Sequence, residues 1–146
     1  MPKKRPFGVT LLLWMVLSLT AWGAVRFFSA LRWWDVLSEF GSSLSPLYLS
    51  MTGAGWSVAG GVLLYGMWSG RRWTPSAILI AVPLWLIEYW VERIFFEAPR
   101  ANLSFAVAIS IFITAVAWVA ANQKNTLLFF TRSEEHEQTD ENPVSE

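Results

Sequence analysis

Apolar residues gather into four long blocks, 7–28, 47–68, 75–96 and 103–121, with short polar stretches between them. Each block holds about twenty residues, and at ~1.5 Å of helical rise per residue that matches the ~30 Å hydrocarbon core of a bilayer. Blocks this long and this uniformly apolar do not suit a soluble domain of 146 residues. The pattern predicts an all-α polytopic membrane protein, with four transmembrane helices in a bundle over residues 1–125. Residues 126–146 are polar and acidic, and a disordered tail is expected from about residue 126 or slightly later.

Between the first two blocks, segment 29–40 (SALRWWDVLSEF) places Leu31, Trp34 and Leu37 at helical spacing, with Arg32, Asp35 and Glu39 elsewhere. This predicts a short amphipathic helix lying in the outer interface, ended by Gly41-Ser42-Ser43. Pro46 suits the first turn of the second span. In that span Gly53, Ser57 and Gly61 recur every fourth residue, with Gly60 beside them. Such a stripe of small residues lets a neighbouring helix backbone approach closely in lipid, from the same chain or from a second copy. The third span opens at Pro75 after the SGRRWT turn and contains Pro83, which cannot donate to the carbonyl of Leu79, so a kink is expected there.

Composition supports this class. Hydrophobic residues make up 54% and charged residues 15%, against about 25% charged in a soluble domain. Several of the 10 Trp fall near block ends, as aromatic belts do: Trp33, Trp34 and Trp90 toward one side, Trp68, Trp73 and Trp118 toward the other. Trp14, Trp56 and Trp85 fall inside the blocks and read as packing residues. The formal net charge of zero conceals a division, because residues 133–146 hold six of the 11 acidic residues and no Lys or Arg. Short-loop charge sets the threading. With the N-terminus cytoplasmic, Lys3, Lys4, Arg5, Arg71, Arg72, Lys124 and Arg132 lie inside, against Arg26, Arg32, Arg93 and Arg100 outside. Both termini are therefore expected in the cytoplasm and the protein in the cell (plasma) membrane as a multi-pass chain. A cleaved signal peptide is the rival reading of the first block, but its apolar run exceeds the usual 7–15 residues.

The costly feature is in the third span, where Glu88 falls roughly 20 Å beyond Pro75 and Glu92 follows one turn later on the same face. A charge near mid-bilayer costs ~2.5–3.5 kcal/mol, so an intramembrane carboxylate is a candidate for function. A proton on Glu88 would lower that cost. Arg26, in the oppositely threaded first span, reaches a depth matching Glu92, so structural pairing of Arg26 with Glu92 or Glu88 competes with proton or cation coupling and with ligand recognition. Arg93 and Glu97 form a further i,i+4 pair on another face. Arg26, Glu88, Glu92 and Arg93 are the candidate intramembrane charge network.

Enzyme chemistry finds little footing. There is no Cys, and the only His, His136, lies in the tail among Glu134, Glu135 and Glu137, where a solvated segment is a better reading than a metal site. No Gly-rich phosphate loop and no GxSxG occur. No cofactor, metal or nucleic acid is expected. The partners expected are the lipid bilayer and, through the small-residue stripe, a second copy or another membrane protein. Asn102-Leu103-Ser104 has the form of a glycosylation sequon but abuts the membrane and reads as coincidence.

The opening KKRPFGVTLLLWMVLSL and the later run VAGGVLLYGMWSGRRWTPSAILI resemble a pattern in small uncharacterised bacterial four-helix integral membrane proteins. There a basic-Pro-x-Gly-Val-Thr start leads into the first span, and a Gly-rich span ends in a Gly-Arg-Arg-Trp turn. The resemblance implies four membrane helices and carries over no functional residue. In having four spans and a membrane Glu the chain is also similar to small multidrug exporters, although their Glu lies in the first span and here it lies in the third. The function expected is non-enzymatic, an accessory or assembly protein; the alternative is a small proton- or cation-coupled transporter using Glu88.

Overall fold

The computed structural model of the chain describes residues 6–39, 44–96 and 102–131. Among these residues every element is a helix: α1 (Phe7–Arg32), α2 (Trp34–Glu39), α3 (Pro46–Trp68), α4 (Trp73–Phe95), α5 (Leu103–Asn122) and α6 (124–131). Three of them, α1, α3 and α5, are long and apolar enough to cross a membrane. At 26, 23 and 20 residues they measure roughly 39, 34 and 30 Å. The helix α4 equals α3 in length but carries Pro83, Glu88, Glu92 and Arg93. Large apolar side chains such as Trp14, Val58, Ile80, Phe105 and Phe112 point outward and are more than half exposed. In water they would form patches far beyond what a soluble monomer tolerates, so they mark a membrane protein.

Local sequence sets the helix ends. Pro6 precedes α1, and Pro46 opens α3, where a missing N–H costs nothing. After α3, Gly70 adopts φ 66° and the Arg71 N–H donates to the Gly66 carbonyl at 3.0 Å. This closes the helix with a left-handed residue that glycine adopts without a Cβ penalty. Asn102, at φ 58°, starts α5. The helix α4 begins at Trp73, two residues before the expected Pro75, which sits in its first turn; it runs unbroken through Pro83.

The segment expected to form one amphipathic helix over 29–40 is divided instead. Residues up to Arg32 complete α1, and Trp33 leaves helical geometry (φ −106°, ψ 23°) before α2 begins. None of α2 is buried. The tail boundary also moves. Residues 124–131 are helical, and Thr126 and Phe130 are almost fully buried, because the run Leu127–Phe130 is apolar enough to pack back on the longer helices. Residues 132–146, with the rest of the expected tail and His136, lie outside the described residues.

The apolar core sits where the start of α1 meets the other long helices. It is built from Val9, Leu12 and Val16, Leu63 and Met67, Ile78 and Val82, Ala117, Ala120 and Ala121, with Phe130 of α6 closing it. The opposite half of α1 packs most closely on α3 through glycines. A Cβ on Gly53 would lie 2.6 Å from the Phe27 nitrogen, and one on Gly23 would lie 2.9 Å from the Ser57 nitrogen.

Candidate functional site

The Gly23–Gly53 approach brings the backbones of α1 and α3 together, so the long side chain of Arg26, one turn further along α1, is turned toward α4. On α4, Glu88 and Glu92 lie one turn apart on a single face, as i,i+4 spacing dictates. Arg26 Nη1 donates to Glu92 Oε2 at 2.9 Å and Nη2 donates to Glu92 Oε1, a two-pronged pair. The same Nη1 lies 3.8 Å from Glu88 Oε1. The three side chains are only 10–16% exposed. Trp22 places its ring 5.0 Å from the Arg26 guanidinium and Tyr48 of α3 places its ring at 5.8 Å, so the cation is flanked by aromatic faces. Trp56 of α3 donates its indole N–H to Glu88 Oε2. Trp22 meets Trp85 edge to face at 5.7 Å, and Trp85 stacks on Tyr89 at 6.3 Å.

One cation thus faces two carboxylates. Glu92 is met by both terminal nitrogens of the guanidinium. Glu88 has one oxygen held by Trp56, while Oε1 is buried with no hydrogen-bond partner among the described residues. With both carboxylates ionised, the cluster holds one surplus negative charge. Glu88 lines a cleft of about 450 Å³ between α3 and α4, whose walls are mostly small residues. Among the described residues no three His, Cys, Asp or Glu side chains converge as metal ligands. The cluster can neutralise charge, hold a proton, or face a cation.

Of the residues singled out from sequence, Arg26, Glu88 and Glu92 come together and Arg93 does not. Arg93 lies on another face of α4, where Nη1 donates to the Tyr89 hydroxyl at 3.0 Å. There it lines a cavity of about 370 Å³ shared with α5 residues such as Phe105 and Ser110. Its expected partner Glu97 lies outside the described residues. Of the small-residue stripe, Gly53 is buried against α1 and Ser57 is half-buried, with its hydroxyl on the Gly53 carbonyl at 2.8 Å. Gly61 departs from the expectation: it is exposed, and a Cβ there would meet nothing within 4 Å. The third seam position is Gly60, packed on Thr20 of α1. Trp56, read as packing, is the residue that sequence reasoning missed. The signal available was an indole N–H inside an apolar span, a donor that must find an acceptor there.

Comparison with protein-family models, curated proteins and solved structures finds no match to this chain.

Proposed function

We propose that the chain is a multi-pass protein of the plasma membrane, with α1, α3, α4 and α5 as four packed spans and both termini cytoplasmic. The length of α4, the short-loop charge bias and the neutralisation of Glu92 by Arg26 support α4 as the remaining span. Within that frame the best-supported role is non-enzymatic: an accessory or assembly protein. The observation that carries it is the Arg26–Glu92 pair, in which the site's cation is consumed by its own neighbour and fastens α1 to α4, leaving no free cation in the cluster to grip an anionic substrate. Purification from native membranes in mild detergent, followed by light scattering and identification of co-purifying chains, tests this. A stable complex with a second copy or a partner protein is expected; a solitary monomer overturns the role.

One observation favours a second reading. Glu88 lines the α3–α4 cleft and keeps one oxygen without a hydrogen bond, which suits the coupling carboxylate of a proton- or cation-coupled transporter. Proton release on adding cationic substrates, lost in Glu88→Gln, would support it. Absence of release from the wild-type protein across a panel of cations counts against it.

A further inference from the structure

We propose that the α3–α4 cleft is a binding site for an amphiphilic monovalent cation, with its charged head at Glu88 and its apolar tail along the cleft. On α4, Ala77, Ala81 and Glu88 lie along one helical stripe, and on α3, Gly55, Trp56 and Ala59 face it. Because α3 and α4 are joined by the short turn at residues 69–72, they run antiparallel, so the carboxylate is at one end of the cleft and the alanines are at the other. From Ala77 to Glu88 the cleft extends roughly 16 Å along α4. Its volume of about 450 Å³ is that of a site for a small amphiphile. An open groove lined by Gly55, Ala59, Ala77 and Ala81 beside Ile80 and Leu84, with a carboxylate at one end, has the shape and the polarity of such a ligand.

The charge balance selects the head group. Arg26 offers both terminal nitrogens to Glu92 and approaches Glu88 only at 3.8 Å, so the cluster accommodates one further positive charge. A divalent ion would require six or more oxygen ligands, whereas the cleft presents one carboxylate among apolar walls. Trp56 lines the cleft beside Glu88 and its N–H holds Oε2, which puts an indole ring near the head-group position, while Oε1 is buried 3.8 Å from Arg26. Quaternary ammonium groups suit such a position because they are attracted to indole faces. The proposal uses the charge on Glu88 as the transport reading does, but it requires binding alone. Binding without proton release would leave the site standing and remove the transporter.

The test is isothermal titration of the full-length protein, in a nonionic detergent, with dodecyltrimethylammonium. Neutral alkyl chains are then already in excess, so a site for any acyl chain gives no saturable signal. The expected result is one saturable site per chain, weakened at least tenfold in Glu88→Gln. The Gly55→Leu variant keeps Glu88 and fills the cleft; a Cβ at Gly55 meets nothing within 4 Å, so the helix accepts it. It too is expected to weaken binding at least tenfold, whereas Gly61→Leu on the same helix leaves it unchanged. Absence of a saturable component, binding by Glu88→Gln within twofold of wild type, or undiminished binding by Gly55→Leu each overturns the proposal. If Glu88→Gln does not fold, the Gly55→Leu and Gly61→Leu pair decides.

Discussion

Replacing Gly53 by alanine adds one methyl group where the α3 helix lies directly against the α1 backbone. That carbon would stand 2.6 Å from the Phe27 nitrogen, 2.9 Å from the Gly23 carbonyl oxygen and 3.0 Å from the Phe27 Cα. All three neighbours are backbone atoms of a continuous helix, so no side-chain rotation relieves them. Ordinary contact lies near 3.5–4.0 Å, and the helices must therefore separate locally by about 1 Å. A gap of that size forfeits roughly a quarter to a half of the dispersion attraction along the seam. In lipid no hydrophobic driving force replaces it, because the surrounding chains are as apolar as the side chains. With overpacking costs of about 1–3 kcal/mol, Gly53→Ala is expected to lower the unfolding midpoint by roughly 3–10 °C. Gly61→Ala, on the same helix but facing open space, is the control and is expected to be neutral or slightly stabilising. The assay is thermal unfolding in mild detergent followed by tryptophan fluorescence. A Gly53→Ala variant no less stable than Gly61→Ala would refute the close-packed α1–α3 seam.

Two further outcomes follow from the packing and the charge cluster. In a double-mutant cycle, Arg26→Ala and Glu92→Ala are expected to be non-additive, with a coupling of about 1–3 kcal/mol in thermal stability, because Arg26→Ala strands the buried Glu92 carboxylate while Glu92→Ala leaves Arg26 only Glu88 at 3.8 Å; additivity would mean that the pair is not formed. Phe130→Ala is expected to destabilise by roughly 3–5 kcal/mol, although the residue lies in the stretch that reads as tail. An unchanged midpoint there would show that α6 does not close the core.

The helices were legible because lipid demands long apolar runs, and the Arg26–Glu92 pairing was legible because rise per residue converts sequence position into depth. The phase of the glycine seam was not. Eight residues turn a helix through about 80° more than two full turns, whereas seven fall about 20° short of two, so Gly60 stands nearly above Gly53 and Gly61 is rotated away. Counting in fours chose the wrong glycine. Spacing puts Arg93 on another face from Glu92, and about 100° of rotation per residue does send it to the α5 side, so it shares the depth of the charge cluster but not its contacts. Trp56 escaped because composition records an indole as apolar bulk and not as a donor. At the chain's other end, the acidic residues beyond Arg132 masked a short apolar run that packs.

Whether α4 crosses the bilayer beside α1, with Arg26 answering its carboxylates, is settled most directly by the sidedness of its two ends. The chain has no cysteine, so Ser69→Cys before α4 and Asn102→Cys beyond it each give a unique thiol. Labelling intact cells with a membrane-impermeant maleimide is expected to modify the thiol at position 102, and the one at 69 only after the cells are opened. Labelling of both thiols from the same side would contradict the account.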